Sequence, residues 1–153
     1  MLQFRFYKFH IKGTQYHQQI TPERDFLCNV KPSLKNLLLS HSACADCRVY
    51  LSTKSLKHIY DRHIFDKKNP QEFLNILKNL TKIIRYPDEV RQNKTSKRGD
   101  FLFVKKVNGQ LYFVSLEIGL AGCIDLVSSS VTGTKYTKKF TLLWSWGTAN
   151  PPS

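Results

Sequence analysis

Two histidines five residues apart, His58 and His63, stand on a short segment that reads as a helix. An imidazole titrates near neutral pH and can serve as acid or base, so these two have the clearest capacity for proton transfer. Downstream lie Arg91, Lys94, Lys97 and Arg98, and later Lys135, Lys138 and Lys139. The later group is interleaved with hydroxyls at Ser128, Ser129, Ser130, Thr132, Thr134 and Tyr136, and no acidic residue follows Asp125. Cations and hydroxyls together hold phosphate oxygens, and the Tyr136 ring offers a face on which a base can stack. These are the parts needed to cut RNA without a metal. A base takes the 2′-hydroxyl proton, an acid protonates the departing 5′-oxygen, and cations stabilise the phosphorane between them.

Each residue also has a plainer reading. His63 shares a helical face with Leu56, Ile59 and Tyr60, as a core histidine would, while His58 points away beside Arg62, as a solvated one would. A basic face is ordinarily a solvated face. Glu117 fits a general base or a simple exposed strand residue. No phosphate-binding P-loop, G-x-G-x-x-G or H-E-x-x-H pattern occurs, and the carboxylates are too scattered for a two-metal nuclease, so no cofactor is expected. Cys44 and Cys47 have zinc-ligand spacing, with His41 and Cys28 to complete a set, but one C-x-x-C with no second pair is more often what ordinary reduced thiols give. Cys28 and Cys123, among apolar neighbours, read as small core residues.

The elements that must position these groups are legible in the second two thirds of the chain. Ser52 is an N-cap with Leu51 and Leu56 placed as a hydrophobic staple, predicting a helix from Ser52 to about Ile64. Asn69 caps a second helix with Pro70 at its first position and Glu72 at its third. Its stripe of Phe73, Leu74, Ile76, Leu77, Leu80, Ile83 and Ile84 demands something flat to pack on, and Pro87 ends it near Tyr86. The flat surface follows: Gly99–Val107 and Gln110–Ile118 flank Asn108-Gly109, a type I′ hairpin signal. Runs at Cys123–Ser128 and Phe140–Trp146 extend it into a meander of about four antiparallel strands, so the fold class is α+β in a single domain, helices packed on the sheet. Residues 1–50 read as an N-terminal extension with a short strand near Phe4–Phe9, and 147–153 as a loose tail. Arg5, Lys8, His10 and Lys12 break up the first apolar run, so no secretory leader is expected and the reading is cytoplasmic.

The 153 residues carry 24 Lys+Arg against 11 Asp+Glu, a net charge of +13. Such an excess predicts attraction to a polyanion, nucleic acid above all. With no apolar run near eighteen residues, no membrane partner is expected.

The order of elements resembles the phage-associated barnase–EndoU–colicin–RelE-like nucleases. The resemblance is carried by Leu51-Ser-x-x-x-Leu56-x-His58-Ile59-x-x-x-His63 and by Ile83-Ile84-Arg-Tyr-Pro87-Asp88-Glu-Val90. Gly99-Asp100-Phe, Val127-Ser128-Ser129 and Tyr136-x-Lys138-Lys139-Phe140 before Leu143-Trp144 continue it, over about Leu51 to Trp146, with no counterpart for the first fifty residues. It implies metal-independent endoribonuclease activity leaving a 2′,3′-cyclic phosphate, in a cleft between helix and sheet. On that resemblance His58 is the acid/base with His63 as partner or orienter. Arg98 and Lys138 stabilise the phosphorane, Thr132 holds a phosphate oxygen, and Arg91, Lys94, Lys97, Ser128, Ser129, Lys135, Tyr136 and Lys139 bind RNA. All five catalytic candidates should meet in one cleft. A toxin or mobile-element effector with an acidic antitoxin or immunity partner fits this picture. The alternatives are a non-catalytic RNA-binding module of the same shape and a zinc-stabilised interaction domain.

Overall fold

The computed structural model describes residues 1–41, 46–93, 99–119 and 122–146, the side chain of His41 excepted. The described residues form five α-helices, one π-helical turn and one seven-stranded mixed sheet. In chain order these are α1 (Leu2–His10), β1 (Arg24–Asn29), α2 (Pro32–His41), β2 (Arg48–Ser52), α3 (Thr53–Tyr60), the π-helical turn (Asp61–Asp66) and α4 (Pro70–Arg85). They continue with β3 (Glu89–Gln92), β4 (Phe101–Val107), β5 (Gln110–Ile118), β6 (Ile124–Thr132), α5 (Thr134–Thr137) and β7 (Thr141–Ser145).

The two expected helices form for the expected reasons. The Ser52 hydroxyl accepts from Ser55 N–H at 3.1 Å, closing the first turn of α3. At α4 the Asn69 side chain accepts from Glu72 N–H at 3.1 Å, Pro70 occupies the first position, and Tyr86 caps the end before Pro87. Phe73, Ile76, Leu77, Leu80, Ile83 and Ile84 are all buried against the sheet, whereas Leu74 lies at the stripe's margin and is partly exposed.

The hairpin is also as read: β4 and β5 pair from Val107↔Gln110 to Phe101↔Leu116, and Asn108 and Gly109 both take positive φ, 50° and 79°. The rest of the sheet corrects the four-strand meander. The order is β1-β2-β6-β5-β4-β3-β7, with β2 parallel to β6 and every other pair antiparallel. The antiparallel meander is β3, β4, β5 and β6, consecutive in the chain and in the sheet. Instead of pairing with β6, β7 crosses the sheet to pair with β3, joining Val90 to Trp144. The short β1, β2 and β3 are strands that the sequence reading does not foresee.

The N-terminal segment is a helix where a strand was expected. Gln3, Tyr7 and Ile11 recur at four-residue intervals with Phe6 beside them, so one helical side buries all four. Tyr7 meets Phe73 at 5.1 Å and Tyr60 at 5.9 Å between ring centres, seating α1 on α4. The first fifty residues therefore supply α1, β1, α2 and most of β2 to the same core.

The sheet has two unlike faces. Val90, Phe103, Val114 and Leu116 point into the main core under the helices. Their neighbours along the strands, Glu89, Arg91, Leu102, Val104 and Phe113, point the other way, because successive strand residues alternate faces. Leu102, Val104 and Phe113 make a smaller apolar cluster there, covered by Leu111 and Phe140. No described helix is long and apolar enough to cross a membrane.

Candidate active site

His63 sits in the π-helical turn, between the helices and β6. Its Nδ1–H donates to the Ile59 carbonyl at 2.8 Å, which fixes the tautomer and leaves Nε2 to face the Ser130 hydroxyl at 3.3 Å and a Glu72 carboxylate oxygen at 3.4 Å. Lys67 reaches the same Glu72 oxygen at 3.2 Å. The ring is 0% exposed, so no phosphodiester reaches it. Burial holds its pKa below the usual 6.5, outweighing the opposing pull of the Ile59 carbonyl and Glu72. A depressed folded-state value means that the unfolded chain binds the proton more readily. Stability is thus full above about pH 6.5 and falls as pH drops from there toward the lower folded value. In His63→Gln this segment of the melting-temperature profile should be flat, as a series of thermal melts from neutral pH to about pH 5 would show. His58, on α3, is exposed and belongs to the helical side too.

The other face of the sheet carries the groove. Glu89 and Arg91 are two residues apart on β3 and therefore project together. The Arg91 guanidinium grips both Glu89 oxygens, Nε at 3.1 Å and Nη2 at 3.2 Å, while Nη1 donates to the Phe140 carbonyl at 2.9 Å. This bidentate fork fixes the carboxylate's plane. The recess they line, with Thr134, Thr137, Lys138 and Trp146, has a volume near 330 Å³. Ligand pockets begin at about 300 Å³, enough for a nucleotide-sized group. Its rim is cationic and aromatic. Lys139 lies over the Tyr136 ring at 5.9 Å, and Tyr136 packs on Phe113 and Phe140. Trp146 stands 73% exposed at the groove's mouth.

A scan against protein-family models matches residues 30–131, two thirds of the chain, to the phage-Barnase-EndoU-ColicinE5/D-RelE like nuclease3 family. The chain belongs to this family. Neither a search of curated proteins nor one of solved structures returned a match. The family segment runs from the end of β1 to the end of β6 and so includes Glu89 and Arg91, whereas Lys138 and Trp146 follow it.

Within this nuclease-family fold the sequence-derived candidates separate. Arg91 and Lys138 line the groove, and Lys135, Tyr136 and Lys139 lie in or just after α5 beside it. Thr132 ends β6 opposite Leu111, itself a groove residue. Ser129 is buried and donates to the Phe113 carbonyl at 2.7 Å, a structural bond, and half-buried Ser128 pairs with Ser115 on β5. Of His58, His63, Thr132 and Lys138, expected to share one cleft, Lys138 lines this recess, while His63 is buried against Ser130 of β6. Arg98, Lys94 and Lys97 lie outside the described residues. Glu117 is exposed opposite Asp125.

The residue that sequence reasoning missed is Glu89. Its signal was present in Glu89-Val90-Arg91-Gln92, an alternation that puts acid and base on one face, but four residues after a helix stop are too few to announce a strand. For zinc, Cys44 and the His41 side chain lie outside the described residues. Burial pushes the Cys28 thiol up to about 11, against the thiolate a metal needs, and Cys47 Sγ approaches Asn29 Oδ1 at 3.8 Å. Among the described residues no three His, Cys, Asp or Glu side chains are grouped to hold a metal.

Proposed function

We propose that the chain is a metal-independent endoribonuclease that cleaves RNA by 2′-hydroxyl transesterification in the groove on the open face of the sheet. One observation carries the reading: a carboxylate held in a fixed plane by Arg91, in a recess shared with Lys138, on a fold of a nuclease family. Glu89 takes the proton from the 2′-hydroxyl and the 2′-oxygen attacks phosphorus. Arg91 and Lys138 neutralise the charge on the phosphorane's equatorial oxygens. The P–O5′ bond then breaks, with the Lys138 ammonium giving its proton to the leaving oxygen, and a 2′,3′-cyclic phosphate remains. Tyr136 and Trp146 offer ring faces for the flanking bases. A toxin or mobile-element effector acting in the cytoplasm is the setting that such an activity suits, and an acidic antitoxin would fit the same cationic rim.

Purified protein incubated with tRNA, rRNA and an end-labelled oligonucleotide, all with EDTA present, tests this. Cleavage should persist in the chelator, yield a cyclic phosphate end, and vanish when the nucleotide 5′ to the cut is 2′-deoxy. His58→Ala should cleave as the wild type does, since His58 belongs to the helical side. One observation favours a second reading, a non-catalytic RNA-binding module: both Glu89 oxygens are already engaged by Arg91. Steeply salt-dependent RNA affinity with no product would select it.

A further inference from the structure

A second recess, about 660 Å³, opens between α1 and the start of β1 on the helical side of the molecule. Leu2, Arg5, Phe6, Lys8, Phe9 and His10 form one wall and Asp25 lies across from them. Residues 1–12 hold Arg5, Lys8, His10 and Lys12 and no Asp or Glu, so the local field is positive. The wall's direction is set from behind: Gln3 Nε2 donates to the Leu77 carbonyl at 3.4 Å and Tyr7 packs on Phe73. Arg5, Lys8 and Phe9 are thereby turned outward, and Phe9 is 84% exposed with its ring edge-on to His10 at 4.7 Å. Both α1 and β1 precede the family segment, which begins at residue 30. They are an addition to the nuclease unit that brings its own cations and its own uncovered ring.

We propose that this recess is a second RNA-binding surface, specific for single-stranded RNA, separate from the groove that holds the scissile phosphate. It rests on the reading of the protein as an RNA enzyme and assigns it a substrate class: RNA with an unpaired stretch beyond the cut. Phe9 takes the face of an unpaired base, which a duplex keeps stacked and out of reach. Arg5 and Lys8 take the adjoining phosphates. The Asp25 carboxylate repels phosphate from the opposite wall and accepts from the exocyclic amine of the stacked base; one of its oxygens already accepts from Phe26 N–H at 2.9 Å. The recess thus orients the strand, backbone against α1 and base edge toward β1.

The test is fluorescence anisotropy with a labelled single-stranded oligonucleotide long enough to span both surfaces. Glu89→Gln protein is used so that nothing is cut. Adding Phe9→Ala should weaken binding about tenfold. Adding Arg5→Ala with Lys8→Ala should lower the slope of log affinity against log salt by about 1.4. All three side chains are exposed, so the melting temperature should not move. Unchanged affinity and slope would overturn the proposal, as would equal losses for duplex RNA or for a polyglutamate competitor, which would make the surface a general anion patch. In the cleaving protein, turnover of a dinucleotide that fills only the groove should be untouched by Phe9→Ala. Failure of the unaltered protein to cut that dinucleotide strikes the groove reading alone, and the anisotropy result still decides the recess.

Discussion

Glu89→Gln should lower the cleavage rate by about 10²–10⁴-fold while leaving RNA affinity unchanged or higher. The substitution is nearly isosteric, and the amide oxygen can keep one of the two Arg91 contacts, now at 3.1 and 3.2 Å, so the groove retains its shape. What it loses is a group able to accept the 2′-hydroxyl proton. Because an anion is removed from a recess whose charged lining, Asp88 and Glu89 against Arg91 and Lys138, is balanced, ground-state attraction for phosphate does not suffer. Initial rates on an end-labelled oligonucleotide, paired with anisotropy on the same strand, separate the two effects. Equal rates for both proteins would remove Glu89 from the mechanism, and a parallel loss of binding and rate would make it a structural partner of Arg91.

The largest stability effect should come from a pair remote from the groove. Lys57 is 6% exposed, and its ammonium donates to Asp61 Oδ1 at 2.6 Å, Thr14 Oγ1 at 2.9 Å and the Gln15 carbonyl at 2.6 Å. All three of its protons are used. Asp61, 7% exposed, also accepts from His17 N–H at 3.3 Å. Lys57→Met keeps the volume but leaves a buried carboxylate without its cation, which should destabilise the fold by about 3–5 kcal/mol. For a chain of this size that corresponds to a fall in melting temperature on the order of 10 °C. Lys57→Met combined with Asp61→Leu should recover most of the loss, because the penalty belongs to the orphaned charge and not to the missing bond. A double variant as unstable as the single one would contradict that account.

What could be read from the residues, and what could not, follows from where the determining interactions lie. Helix α4 is specified locally, by Asn69, Pro70, Glu72 and the apolar stripe, and the β4–β5 hairpin by Asn108-Gly109. Both appear, α4 with the expected boundaries and β4 beginning at Phe101, two residues after the expected Gly99. Helix α1 was misread because aromatic residues at Phe4, Phe6, Tyr7 and Phe9 satisfy two periods at once. Only the buried side made by Tyr60 and Phe73 of other elements decides between them. The placement of β7 beside β3 instead of β6 is likewise a matter of distant partners: nothing in Thr141–Ser145 names its neighbour. At the candidate site the cations were legible, since a charge excess late in the chain is visible without structure. The histidine assignment came from a helical face, and a shared face with Leu56, Ile59 and Tyr60 foretells burial, not access. Glu89 stayed hidden because its meaning depends on Arg91 being its strand-mate.

The parallel joint between β2 and β6, Val49↔Ile124 and Tyr50↔Asp125, has a consequence for how the chain assembles. The β1–β2 ribbon leaves the ribosome early, yet the strand that completes its flank is made only after both helices and the central hairpin. A two-stranded ribbon is marginal alone in water. Until β6 emerges, the open side of β2 is an unsaturated edge, a template for pairing with other chains. Slow synthesis through the middle of the chain therefore lengthens a window of vulnerability to aggregation that ends when the C-terminal third arrives to close it.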